Sequence, residues 1–287
     1  MKKILTLFCT LTIFSLNAQR NEVGIFTGTS YYLGDINPSM HFSLAKPAGG
    51  LIYRYILNPR WALKMDGIYG SVESSDAYVR FNKERNLSFK SSLFEVSTQI
   101  ELNFFPYYTG NTDKDYFTPY IFAGISFFSF NPKANYNGKW YDLQPLGTEG
   151  QGTSLYPDRK PYSLVGLSYP FGLGVKYSVG AKLCIGAEWG LRKTNTDYID
   201  DVSTTYPNLA IVSAENTPIA AVFADRSLSA LENHTDHTDL QRGNSSTNDW
   251  YSYAGLFITI KFKVKKSRAC SAYSTHNKKF KDLIKND

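Results

Sequence analysis

Two short runs hold the side chains best suited to chemistry. His234-Thr235-Asp236-His237-Thr238-Asp239 sets two imidazoles beside two carboxylates, and imidazole nitrogen and carboxylate oxygen both bind Zn²⁺. Tyr198, Asp200 and Asp201 offer the oxygen ligands that Ca²⁺ takes. Each run has a plainer reading. The histidine run lies mid-way along a segment rich in Asn, Ser and Thr, so a mobile, solvated loop is expected there. Aspartates near a strand end more often hydrogen-bond turn amides or arginines. His41 and His276 stand alone, and no serine has a recognisable nucleophile setting. No catalytic residue, metal site or cofactor is therefore expected.

The N-terminus carries Lys2 and Lys3, then an apolar stretch from Ile4 to Leu16, then Asn17-Ala18. That order is a secretory signal peptide over residues 1–18, with the mature chain starting at Gln19. The stretch is too short for a spanning helix, which needs roughly 20 residues. Cys9 lies inside it, so a lipid-modified N-terminus is not expected. Cys184 and Cys270 remain, too few for a disulfide scaffold, and they are not expected to pair. With 21 Tyr, 19 Phe and 21 Gly but a mean hydropathy of −0.30, the chain does not resemble a helical membrane protein. It suits a barrel whose strands alternate apolar and polar residues between aromatic girdles.

The alternation can be followed strand by strand. Phe94, Val96, Thr98, Ile100, Leu102 and Phe104 share one face, while Glu95, Ser97, Gln99, Glu101 and Asn103 share the other. Eleven alternating residues match a tilted membrane strand of roughly 9–11 residues. Soluble strands usually run nearer five or six residues. Similar patterns begin at Trp61, Leu183 and Ala254, and weaker ones cover 22–33, 49–57, 119–130 and 165–177. Gly172 and Gly174 in the last fit a crowded lumen-facing row or a bend. Eight strands result.

Short connections (58–60, 106–118 and 178–181) alternate with longer ones (34–48, 72–88, 131–164 and 195–249). That is the pattern of short periplasmic turns and long external loops. The expected fold is an all-β, transmembrane, antiparallel up-and-down β-barrel over residues 19–264, with both ends in the periplasm. Tyr198, Asp200 and Asp201 then stand where the seventh strand leaves the membrane. Glu95, Glu101, Glu188, Lys64, Asp66 and Arg192 form an internal charge network, because eight strands enclose only enough space for side chains.

Charge is uneven along the chain. Residues 195–249 hold two Arg and nine acids, net −7, and residues 261–287 hold nine Lys/Arg and two Asp, net +7. The basic tail, 265–287, reads either as a solvated end or as a docking segment through Lys265, Lys266, Arg268, Lys278, Lys279 and Lys281. Nucleic acid is not implied, since no aromatic-basic platform appears.

Several blocks carry a resemblance. Phe130-Asn131-Pro132-Lys133-Ala134 leads through Gly138-Lys139-Trp140-Tyr141 into Leu143-Gln144-Pro145-Leu146-Gly147-Thr148-Glu149-Gly150-Gln151-Gly152. Thr196-Asp197-Tyr198-Ile199-Asp200-Asp201-Val202-Ser203-Thr204-Thr205-Tyr206 follows later, and Tyr31-Tyr32-Leu33-Gly34-Asp35-Ile36-Asn37 stands near the start. Together these resemble the PorG-like outer-membrane barrels of Bacteroidota, associated with type IX secretion. The resemblance implies a barrel set among outer-membrane lipids. It also implies a tether for the periplasmic ring lipoprotein and its partner, supporting secretion and gliding. The run Leu143–Gly152, with few charges, is expected to fold over the lumen. Two other readings stay open: a small passive porin or ligand-binding barrel, and a lipid-modifying barrel enzyme in which His41 or His234 would be essential.

Overall fold

A computed structural model describes residues 21–262 of the protein. The expected leader, Cys270, His276 and the tail lysines and arginine from Lys265 to Lys281 lie outside the described residues.

The period-two pattern decides the architecture. In β4 (Ser88–Asn103) buried and non-buried residues alternate along the strand. Ser97, Gln99, Glu101 and Asn103 are at most 2% exposed, while Phe94, Val96 and Ile100 are 46–50% exposed. A sheet in water would turn its apolar side inward. Here the polar face is the hidden one, as in a barrel surrounded by lipid.

The other barrel strands are β1 (Asn21–Leu33), β2 (Lys46–Ile56), β3 (Trp61–Ser75), β5 (Phe117–Tyr136), β7 (Val165–Val179), β8 (Leu183–Thr194) and β9 (Trp250–Phe262). Chain neighbours pair antiparallel. Pairing of β1 with β9, from Asn21↔Phe262 to Leu33↔Trp250, closes the sheet. The result is a closed eight-stranded up-and-down barrel. Among the described residues no helix is long and apolar enough to cross a membrane. Connections 57–60, 104–116 and 180–182 lie at one end with both described termini, and 34–45, 76–87, 137–164 and 195–249 lie at the other.

Two strands run further than the alternation suggests. β3 continues past Tyr69 to Ser75. β5 continues past Phe130 to Tyr136, then turns through Asn137-Gly138 into a short added strand, β6 (Lys139–Asp142). Pro132 looks like a break in sequence. Its fixed φ suits extended backbone, and its carbonyl still accepts from the Leu143 amide at 2.9 Å.

The lumen is packed. Arg54 donates to Glu22 and Glu101, each at 2.8 Å, and Lys176 reaches Glu101 at 2.7 Å. Lys64 meets Glu188 at 2.6 Å, and Glu188 also accepts from Tyr120 at 2.6 Å. Asp66 accepts from Ser97 and Gln99. Arg192 and Tyr251 both donate to Glu95, at 3.3 and 2.5 Å. All six expected network residues therefore point inward. Gly172 and Gly190 lie under the Phe122 ring and Gly174 under that of Tyr120, where an added Cβ would stand 2.5–2.7 Å from ring carbons. The glycines make room for the aromatic rings that fill the barrel.

Val96, mid-strand on β4, tests the outward belt. Val96→Arg is expected to cost about 2–4 kcal/mol of folding stability in bilayers, read from denaturant unfolding in lipid vesicles. Val96→Leu is expected to change little.

Candidate functional site

The long-loop end of the barrel is covered by an ordered cap, and its central residue is Glu149. The chain reaches it through a 3₁₀ turn, Gln144–Leu146, which has proline in its first turn. Gly147 and Gly150 follow with φ of 62° and 83°, a left-handed backbone that glycine adopts without strain. Gln144 ties the turn to the Tyr162 carbonyl at 3.0 Å. Buried Glu149 then accepts from the amides of Ser203 and Thr204 at 2.9 and 3.1 Å, from the Thr204 hydroxyl at 2.7 Å and from Arg242 at 2.9 Å. These donors satisfy the oxygens of a carboxylate that is out of reach of water.

Asp201 sits beside it. Its carboxylate accepts from Thr148 at 2.5 Å and Tyr162 at 2.6 Å, while its carbonyl takes Arg242 at 2.6 Å. The Tyr162 and Tyr198 rings stack at 4.5 Å. Glu149, Gly147, Gly150, Tyr198, Asp200 and Asp201, separate in sequence, thus meet in one cluster. Trp140 and Tyr141 go elsewhere. Tyr141 packs on Phe223 at 5.4 Å, and Trp140 is 52% exposed.

A third group joins strand and loop. The Tyr32 hydroxyl lies 2.5 Å from Asp200 and 2.8 Å from Asp249, all three side chains buried. One phenol proton cannot serve two carboxylates, so the second contact needs a carboxyl proton. Burial raises both aspartates well above the usual carboxylate range, and raises Asp35 as well. Asp197 is pushed up to about 7 by burial, and Asp201 to about 6 by burial against the pull of Arg242. Among the described residues no group of three or more His, Cys, Asp or Glu side chains is arranged to hold a metal ion.

The segment 195–249 differs from the mobile polar loop expected. It folds three short helices, α1 (Leu209–Glu215), α2 (Pro218–Ala224) and α3 (Leu228–Asn233), capped by Asn208, Thr217 and Ser227. Those capping residues, with Pro218 next to Thr217, were the local signal available in sequence. Five of the nine acids (Asp197, Asp200, Asp201, Asp225 and Asp249) are buried, so the net −7 of the segment is not an acidic outer face.

His237 is likewise anchored, while His234 is exposed at the end of α3. His237 Nδ1 lies 2.7 Å from Asp225 and Nε2 lies 3.2 Å from Ser229 Oγ. The order Ser–His–Asp resembles a hydrolytic triad, a setting that sequence alone did not reveal. Acyl transfer also needs donors aimed at a developing oxyanion. The amides around Ser229 are already engaged: Leu228 N–H donates to the Glu84 carbonyl, Ser229 N–H to the Glu84 carboxylate and Ala230 N–H to Ser227 Oγ. Hydrogen bonding from Ser229 holds Glu84 below its usual range, which keeps a negative charge where an oxyanion would form. The group acts as a latch joining loop 76–87 to loop 195–249, and Asn86 adds a bond to the Arg226 carbonyl at 3.0 Å.

The model of the family DUF6089, described as a domain of unknown function, matches residues 1–145. The chain belongs to the DUF6089 family. No curated protein matches it. Among solved structures, this DUF6089 chain is similar to Neisserial surface protein A at 10% identity and a TM-score of 0.41, over 84% of this chain and 97% of that one. It is also similar to Ail of Yersinia pestis, at 9% identity and a TM-score of 0.39, over 85% and 99% of the two chains. OprG of Pseudomonas aeruginosa matches at 8% identity and a TM-score of 0.36, over 84% and 96%. The family match ends at Pro145, before Glu149 and the 195–249 segment.

The buried aspartates give the DUF6089 cap a pH dependence with a definite sign. A carboxyl whose folded pKa is raised holds its proton more tightly when folded, so its contribution to stability falls as pH rises from the unfolded to the folded value. With Asp201 near 6 and Asp197 near 7, the cap is expected to be tighter at pH 5 than at pH 8. Hydrogen exchange of residues 196–206, corrected for intrinsic rates, is expected to show greater protection at pH 5.

Proposed function

We propose that the protein is a non-enzymatic outer-membrane barrel that anchors or organises the periplasmic ring of the type IX secretion and gliding machinery. The observation that carries the first half is the sealed interior. Charged pairs fill the lumen from Glu22 and Arg54 to Glu95 and Arg192, and the Glu149–Arg242 cap covers the mouth above them. A passive porin needs the opposite, an open polar channel. A lipid-modifying enzyme needs oxyanion donors that the Ser229 surroundings have already used. A membrane protein without conduit or catalytic centre works through its surfaces.

The second half rests on the sequence resemblance, from the Tyr31–Asn37 block to the Leu143–Gly152 and Thr196–Tyr206 blocks. In this reading the long loops face outward, and the short turns face the periplasm together with both chain ends. The basic tail carrying Lys265, Lys266, Arg268, Lys278, Lys279 and Lys281 would then stand where a ring component could dock.

Affinity purification of the tagged protein from gently solubilised outer membranes tests this. Recovery of the periplasmic ring lipoprotein and its partner, lost on deleting 265–287, is the expected result. Recovery without the tail would keep the role and move the contact to the short turns. A barrel that comes alone while the ring stays intact would end the type IX assignment.

A further inference from the structure

On the outer wall of the barrel, just past the apolar belt toward the long loops, a groove of about 440 Å³ opens between β3, β4, β5 and the β6 hairpin. Its floor is small and polar. Ser71 pairs across with Ser92, and Ser92 with Asn131, and neither serine hydroxyl of this pair has a side-chain partner among the described residues. Below the floor the wall becomes apolar, with Tyr69, Phe94 and Phe127 exposed at 62%, 50% and 66%. Above it runs a charged row in which Glu73 faces Lys90, Lys90 faces Lys133 and Lys133 faces Asp142. Trp140 lines the upper side.

The row is short of one anion. Lys46 takes Glu73 at 2.8 Å and Lys133 takes Asp142 at 2.9 Å. Lys90 is left without an ion pair among the described residues, directly opposite Lys133. Like charges facing each other across strands are destabilising, unless an anion lies between or beside them. The height of the groove indicates where that anion comes from. It sits where acyl chains over the Phe94 and Phe127 belt give way to headgroups. The floor hydroxyls, the unpartnered Asn131 Oδ1 (its NH2 donates to Asp142 at 3.0 Å) and the Trp140 and Tyr69 rings suit a sugar beside the phosphate.

We propose that this groove binds the phosphorylated sugar headgroup of a glycolipid in the leaflet facing the long loops. Lys90 and Lys133 take the phosphate, Ser71, Ser92 and Asn131 lie along the sugar, and the acyl chains run down the wall past Phe94. The proposal rests on the orientation given above, with the long loops outside.

The test is native mass spectrometry of the full chain released from detergent micelles, titrated with diphosphoryl lipid A, with its dephosphorylated form and with phosphatidylglycerol. Preferential retention of diphosphoryl lipid A is expected. In the double variant Lys90→Ala/Lys133→Ala that retention is expected to fall about ten-fold or more, since bonds to charged groups are the strong ones. Trp140→Ala, in the exposed hairpin, is expected to weaken it less. The gel shift between boiled and unboiled samples checks that each variant folds. Equal retention of the phosphorylated and dephosphorylated forms, or an unchanged folded double variant, would overturn the site. Equal retention of phosphatidylglycerol would overturn the glycolipid assignment. Protease cleavage of loop 195–249 on whole cells separates these outcomes from a failure of orientation: a protected loop would overturn the orientation and the groove with it.

Discussion

Everything in this molecule depends on where its charges can go once the outer wall of the sheet is given to lipid. Arg54, Lys64, Lys176 and Arg192 are on inward positions of their strands and are buried. An unpaired ion there would cost several kcal/mol, and removing one partner from a buried pair typically costs about 3–5 kcal/mol. Glu101, Glu188 and Glu95 answer them from non-neighbouring strands, and Glu22 faces Arg54 from the adjacent β1. These contacts link strands far apart in the chain, Lys64 on β3 with Glu188 on β8 for instance. The network therefore ties the walls of the barrel together and packs its lumen with paired charges.

The cap continues the same logic outside the membrane. Glu149 and Arg242 are buried and paired, and backbone amides of the 195–206 segment satisfy the carboxylate oxygens. Arg85 does similar work for loop 76–87, holding Asp76 and the carbonyls of Asp35 and Arg242. All four long loops are thus tied to one another over the mouth. Burial favours the neutral form of the cap's aspartates, and Asp197 and Asp201 make the cap responsive to pH.

Sequence reveals the barrel well because its signal is local. Alternation along Phe94–Phe104, the short turn at Asn58-Pro59-Arg60 and the alternation of connection lengths each depend on residues close in the chain. What stays hidden depends on distant partners. Arg54 and Glu22 lie on strands with weak alternation, and only the register of the β1–β2 pair sets them opposite each other. His237 reads as part of a solvated run until the fold brings Asp225 and Ser229 to its ring. The three helices of 195–249 are each under eight residues, too short for an amphipathic period to show, although their caps were visible. The cluster of Glu149 with Asp201 was legible only as separate blocks of a resemblance. The groove at Lys90 needs strand register, which fixes Lys90 opposite Lys133.

In the proposed role the packed lumen and the bonded cap pass no ions, and the barrel works by its surfaces. Single-channel recording of the refolded protein in planar bilayers at neutral pH tests this most directly. The structure predicts a silent membrane, with no stepwise currents after insertion is verified. Steady ohmic steps from the unaltered protein would show an open path through the lumen and make the protein a conducting barrel.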